Sequence, residues 1–454
     1  MAVWSVVRES ALSGEMRIDA EFYQRRYLRV EQTLRTSNAV PLDSYLVDVR
    51  YGLNVPAEYV EGGLPFVRAL NLKEYGIEGE ILNIPYTSGQ VGEDNLLQEG
   101  DLLIVRSGAN VGDLGIVLGP LVGSTFGSYV IRMRVSGIDP YYLYAYLKSR
   151  FGREQTVRFR SGAAQPNISI PNLGQVLVLK PSEEDQQKIR DLVLSSYQGR
   201  TEAEAVYVRA ENLLLHELGL DDLDLLPRTA YTATFREASA MRRLDAEYFQ
   251  PKYRNLVEHV HSTRQAIRLG DWVSEGITRG VLPDYVEDGD ICVINSRHVG
   301  ATHVDLEDNR TTTWAFVESG RNRRALVQRY DVLLNSTGYI TIGRCQTLLD
   351  KVDAVVDGHV SIIRPKPGLD PVYLGLYLNA PTGQLLTERG WTGSSGQIEL
   401  RPDVIADYVV WKAPEDVQRR IRKLVEDAHR ARQDARRLLD EAKQRVEEMV
   451  LGDE

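Results

Sequence analysis

The chain has 454 residues, 43% hydrophobic and 26% charged, a composition that excludes a disordered or collagen-like polymer. At roughly 150 residues per domain it is too long for one ordinary core, and about three domains is the prior. Its 54 basic and 64 acidic residues give a net charge of −10, which argues against a generally basic nucleic-acid-binding surface. Any such contact has to come from local Arg clusters or with help from a basic partner. Most of the excess acid lies in 181–240 and 266–413. The uncharged runs 114–131 and 161–179 are broken by Gly, Pro, Ser, Thr and Asn, which predicts strand–turn–strand and no membrane span. The opening MAVWSVVRES lacks the apolar stretch of a signal peptide. Cys292 and Cys345 alone give neither a disulfide framework nor a cysteine-based zinc site, so a cytoplasmic location is expected.

The first predicted element is a short helix, Ile18–Leu34, within which Met16–Tyr27 reads MRIDAEFYQRRY. Residues 41–180 are dense in Gly, Asn, Ser and β-branched residues, and alternation in Ser128–Val135 and Val176–Leu179 predicts strands. One helix, Pro140–Phe159, interrupts them, with Pro where the first helical turn tolerates it. A long polar helix follows, in which Ile189, Leu192, Ser196, Gly199, Ala203, Val206, Ala210 and Leu213 step by three and four.

The same order then recurs. RRLDAEYFQPKY at Arg242–Tyr253 lies over a second short helix, Leu244–His261. Tyr330–Gly338 (YDVLLNSTG) answers Gly100–Gly108 (GDLLIVRSG), Asp370–Leu374 answers Asp139–Leu143, and Gly393–Gln397 answers Ser161–Gln165. The helix Pro371–Arg389 matches Pro140–Phe159. A second long helix places Ile421, Leu424, Ala428, Ala431, Ala435, Leu438, Ala442 and Met449 in the same phase, with Arg445 in the remaining slot. The spacing between partners drifts from 226 to 232 residues, as short loop insertions produce. Two homologous halves are the simplest account. Small residues at the seam let backbones approach closely, so residues 187–216 and 419–450 are expected to pair as an antiparallel coiled coil. The expected fold class is α+β: two mixed, strand-rich domains separated by two long helices, with an internal two-fold repeat. The expected boundaries are 1–180, 181–240, 241–413 and 414–454.

No catalytic motif stands out. Asp139-Pro140-Tyr141-Tyr142 resembles the (Asp/Asn)-Pro-Pro-Tyr motif of amino-methyltransferases. Its partner Asp370-Pro371-Val372-Tyr373 lacks the second Pro, and no Gly-rich loop suits S-adenosylmethionine, so helix starts are expected at both places. Gly119–Thr125 lacks the Lys of a phosphate loop. Pro402, Asp403 and Lys412 lack the acidic residue two before the Lys that a nuclease core has. Scattered His residues suggest no metal site.

Three pairs of loops follow apolar strands and carry Gly with short polar donors. In the first half they hold Arg68 and Asn71; Arg106, Ser107 and Asn110; and Ser161, Gln165 and Asn167. In the second they hold Asn295, Arg297 and His298; Asn335, Ser336, Thr337 and Tyr339; and Ser394, Ser395 and Gln397. Arg, Asn, Gln, Ser and His on such backbone are the residue types that read base edges, and each is a candidate DNA contact beside the ordinary reading as turn chemistry.

Taken in this order and twice over, these features resemble the specificity subunit of a Type I restriction-modification system. They are the Asp-Ala-Glu-Tyr/Phe helix starts, the Arg-Ser-Gly and Asn-Ser-Thr-Gly loops, the Asp-Pro-x-Tyr-Leu helix, the Ser-Gly-x-x-Gln loop and the closing helix. The resemblance implies two target recognition domains, each reading one part of a bipartite double-stranded DNA site. It implies long helices that dock two modification (methyltransferase) subunits, with restriction subunits completing the complex. Catalysis, with S-adenosylmethionine, ATP and Mg²⁺, would lie in those partners, leaving this chain non-catalytic and free of cofactors. A specificity subunit of a Type IIB-like or other phage-defence complex, and a single-chain DNA methyltransferase, are the alternatives. Because the halves differ outside the shared frame, an asymmetric site is expected.

Overall fold

The computed structural model describes residues 18–54, 59–86, 91–108, 110–162, 165–221, 223–307, 309–393 and 398–452. The chain folds as two compact units, one comprising Met1–Gly199 with Gln433–Glu454 and the other Arg200–Arg432. The two long helices, Glu183–Leu218 and Glu415–Leu451, are therefore each divided between the units. The expected boundaries set these helices apart as regions of their own. Instead their apolar faces complete the cores: Leu439, Ala442, Val446 and Val450 join the first unit's cluster, and Val206, Ala210, Ile421 and Ala428 the second's. Among the described residues no helix is long and apolar enough to cross a membrane.

In the first unit an antiparallel sheet runs in the order Leu46–Tyr51, Val130–Val135, Leu102–Val105, Leu114–Ile116. A second sheet pairs Leu64–Val67 antiparallel with Leu82–Ile84 and parallel with Thr125–Phe126. Both ends of the strand-rich block leave through one two-stranded ladder, Val40–Pro41 against Leu177–Val178. The second unit has the same plan. Its sheets run Thr278–Arg279, Val360–Ile363, Val332–Asn335, Cys345–Thr347 and Arg310–Thr312, Ile291–Ile294, Ala354–Val356, and its closing ladder pairs Ala266–Arg268 with Val409–Trp411.

The helix expected over Pro140–Phe159 is two helices, Pro140–Lys148 and Arg150–Arg158, and its counterpart is Pro371–Asn379 and Pro381–Gly390. The break falls at Ser149 and Ala380, both extended; Pro381 disfavours helical backbone at the residue before it. Asp139 and Asp370 cap the first helix of each pair. Asp139 Oδ1 accepts from Tyr141 N and Tyr142 N at 2.9 and 3.0 Å, and Asp370 Oδ1 from Val372 N and Tyr373 N at 2.8 and 3.0 Å. These carboxylates also anchor the long helices. Gln186 Oε1 accepts from Asp139 N (2.8 Å) and Arg190 pairs with Asp139 (3.1 Å); Gln418 Oε1 accepts from Asp370 N (2.7 Å) and Arg422 pairs with Asp370 (3.0 Å). The tyrosines of the first capped helix, Tyr141, Tyr142, Tyr144 and Tyr146, are all buried.

The short helices start later than expected, at Arg25 and Pro251, because Asp19 and Asp245 lie in turns that precede them. The seam of the long helices is also shifted. Ile189, Ala203, Val206, Ala210, Ile421, Ala428, Ala435 and Ala442 are buried, whereas Leu192, Leu213, Leu424 and Leu438 are half-buried and Val193, Leu214, Val425 and Leu439 take the inner positions. Residues three and four apart share a helix face, so spacing alone left both steps open. Ser196 Oγ donates to Ala435 O at 2.7 Å in the first unit, and Arg420 pairs with Glu217 at 2.8 Å in the second, so each unit contains a contact between its pieces of the two helices.

Lys148 ends the first capped helix inside the protein, where its ammonium donates to the carbonyls of Lys73, at 2.9 Å, and Glu74. Burial pulls it down to about 8, against the attraction of Glu74 and Asp113. An unfolded Lys holds its proton to about 10.4. Between these values the unfolded chain binds more protons, so stability rises with pH. From pH 8 to 10, below the range where buried tyrosines oppose the trend, urea unfolding of the first unit should show a gain of about 2 kcal/mol. Lys148→Met should flatten that slope; an equal slope in both proteins would show that Lys148 is not its source.

Candidate nucleic-acid interface

In the first unit three loops meet beyond the end of strand Leu102–Val105. Arg106 N donates to Tyr129 O and Arg106 O accepts from Ile168 N, both at 2.8 Å. Ser107 and Ser161 each bridge to Asn167, and Gln165 Nε2 donates to Ser107 Oγ at 3.2 Å. Gly108 turns the chain at φ +106°, which a side chain would strain. The Arg106 guanidinium stacks 4.2 Å from the centre of the Tyr51 ring. Tyr51 and Tyr129, beside these polar groups, are 40% and 56% exposed. Asn110 is exposed in the same turn. The Arg68 loop is tied in by Gly127 N, which donates to Val67 O at 2.9 Å. Arg68 lies 5.5 Å from the Tyr59 ring and donates to Glu80 O at 3.1 Å.

The second unit uses the same backbone frame with different side chains. Ser336 N donates to His359 O and Leu400 N to Ser336 O, both at 2.8 Å. Thr337 and Thr392 each bridge to Glu399, as Ser107 and Ser161 do to Asn167. Gly338 repeats the turn at φ +91°. Around this frame stand Arg279 paired with Glu399, Thr337 hydrogen-bonded to His359 Nδ1 (2.5 Å), and Tyr339, 71% exposed. Burial pushes the Asp357 carboxyl up, opposed by the His359 amide and by the charges of His359 and Arg279. Arg297 is exposed, its amide held by Asn295 Oδ1 at 2.9 Å.

Four expected contacts are corrected by their burial. Asn71 is fully enclosed, with its amide donating to Glu78 O and Glu80 O at 3.0 Å. Asn335 donates to Ser296 O (2.9 Å) and Val299 O (3.3 Å), Ser336 bonds Ser361, and His298 Nδ1 accepts from Asn295 N. These side chains brace the loops and face no solvent. Ser394, Ser395 and Gln397 lie outside the described residues. Conversely, Tyr51, Tyr129, Arg279, His359 and Glu399 stand beside these loops and were not among the expected contacts. All except Glu399 border strands that only the register brings beside the loops, and aligning the two halves strand by strand would have found them. Among the described residues no cluster of three metal-ligating side chains occurs.

No protein-family model and no curated protein matches the chain. Three solved structures align over 91% of it. One is the S subunit of a Type I restriction-modification system from M. genitalium, at 13% identity over 96% of that chain with a TM-score of 0.38. The second is the HsdS subunit from Thermoanaerobacter tengcongensis, at 14% over 96% with a TM-score of 0.29. The third is a chain from a structure addressing complex assembly and conformational transition of the type I R-M system, at 14% over 97% with a TM-score of 0.30. All three scores lie below 0.5, and the fold as described rests on the chain's own contacts.

Proposed function

We propose that the chain is the DNA-specificity subunit of a Type I restriction-modification system. In this reading it recognises the two halves of an asymmetric site and brings two modification subunits and the restriction subunits to it. The observation that carries the reading is the shared loop frame with divergent side chains. One unit presents Tyr51, Arg106, Ser107, Tyr129 and Gln165; the other presents Arg279, Thr337, His359 and Glu399. A constant frame with exchanged polar tips suits two modules that read different bases. Non-catalytic action, cofactors confined to partner subunits and a cytoplasmic location belong to the same proposal. Deleting the gene should abolish one bipartite methylated motif in the source cell. If the purified chain binds S-adenosylmethionine by itself, it is the single-chain methyltransferase instead.

Within this reading, Gln165 serves the first unit's half-site. Gln bonds adenine through two parallel hydrogen bonds worth about 1–3 kcal/mol of discrimination. Gln165→Ala should weaken specific binding roughly tenfold or more and leave non-specific binding unchanged. Equal losses on both kinds of DNA would assign Gln165 to phosphate positioning.

A further inference from the structure

The matched elements of the two units differ sharply at one place away from the reading loops. In the first unit Phe22 and Tyr23 are 4% and 5% exposed. Phe159 packs on Phe22 with ring centres 5.7 Å apart. Arg158 lies 4.2 Å from the Phe22 ring, donates to Phe22 O at 3.0 Å and pairs with Glu31 at 2.6 Å. The position is closed, and its buried cation is neutralised from within the unit.

In the second unit the corresponding aromatics are Tyr248 and Phe249, and the corresponding cation is Arg389, 4.7 Å from the Tyr248 ring. The two groups that complete the first site are gone. Val257 stands where Glu31 does in the short helix, and Gly390 stands where Phe159 does after the Arg. A cleft of about 650 Å³ occupies the space, lined by Tyr248, Val257, Arg389, Gly390 and Val404. Among the described residues Arg389 makes no hydrogen bond or ion pair, and its Nε is buried without a partner. Arg242, exposed at the rim, adds a second positive charge, whereas Arg243 and Arg401 are already paired with Asp245 and Asp403, and the lining carboxylate of Asp407 is held by Arg268 at 2.7 Å. A half-enclosed guanidinium without an acceptor is costly, and a carboxylate is its matched partner.

We infer that this cleft is a docking site for a protein partner that inserts an aromatic ring beside a carboxylate, restoring what Phe159 and Glu31 supply in the first unit. The chemistry is set by the internal template: the Tyr248 ring already carries Arg243 at 4.5 Å and Arg389 at 4.7 Å, so the inserted ring fills the space beside Val257 and Gly390, and the carboxylate pairs with Arg389. The inference goes beyond DNA recognition and does not depend on it.

The test uses the full-length chain without DNA and two synthetic probes, acetyl-Glu-Phe-amide and acetyl-Gln-Phe-amide, followed by ligand-observed saturation-transfer NMR. The Glu probe should bind, and the Gln probe about tenfold more weakly. Arg389→Met should lose about tenfold. Val257→Glu, which supplies an internal carboxylate as Glu31 does, should lose binding while keeping or raising the unfolding midpoint. If Val257→Glu does not fold, Arg389→Met carries the same reading. No binding at ten-millimolar probe, or equal binding of both probes, overturns the inference. So does occupancy of the cleft by inorganic phosphate or duplex oligonucleotide with none by the peptide, which would make it a phosphate contact.

Discussion

Exchanging residues 266–413 for the same block of a related chain should change one half of the methylated motif and leave the other half intact. The fold makes this exchange clean. Ala266 pairs with Trp411 in the closing ladder, so the block enters and leaves at one place. The core that receives it is supplied by the helices outside the block, through residues such as Leu214, Leu256, Val260, Ile421 and Val425. Every reading residue proposed for the second unit lies inside the exchanged segment. Each altered base pair costs about 1–3 kcal/mol, so a half-site differing at several positions loses recognition on the order of a thousandfold or more. Methylome sequencing of cells carrying the chimera reads both halves at once. A change in both halves, with the chimera folded, would sink the two-module reading.

Asp370→Ala should be among the most destabilising single changes in the second unit, by about 2–3 kcal/mol. Its carboxylate caps one helix through Val372 N and Tyr373 N and holds Arg422 of the long helix. For a unit of this size each kcal/mol lowers the melting point by about 2–4 °C, so a fall of roughly 4–12 °C is expected. Asp370→Asn should recover the cap but not the ion pair, since Asn caps as well as Asp. Asp139→Ala should act alike on the first unit, whose bonds to Tyr141 N, Tyr142 N and Arg190 match within about 0.1 Å. A melting point within a degree of the parent for Asp370→Ala would mean that water replaces the cap and that Glu426, 2.9 Å from Arg422, holds the guanidinium by itself.

Much of this was legible in the sequence, and the rest was lost for identifiable reasons. The Asp-Pro helix starts could be read because Asp at the cap and Pro at the first turn act through local backbone geometry. The division into two helices could not be foreseen at Ser149, where neither Gly nor Pro marks the break. Strands such as Thr278–Arg279 and Leu177–Val178 are two residues long and carry no periodicity. Arg279 therefore escaped notice, although pairing places it against Ser361 and its side chain meets Glu399. Asn71 and Asn335 show the opposite failure. A polar side chain in a Gly-rich loop reads the same whether it faces a ligand or holds the loop's own carbonyls, and only burial separates the two.

Because each long helix is shared, the order of synthesis and the order of assembly part company. Domains of most chains condense from the N-terminus as they leave the ribosome. Here the first unit lacks Leu439, Ala442, Val446 and Val450 of its hydrophobic cluster until the helix Glu415–Leu451 has emerged, by which time all of Arg200–Arg432 has been made. A nascent chain therefore carries the first unit unfinished until the second has been made, with apolar surface open to chaperones. A nonsense codon near position 433 would strip the core of the N-terminal unit and spare the one encoded just before it.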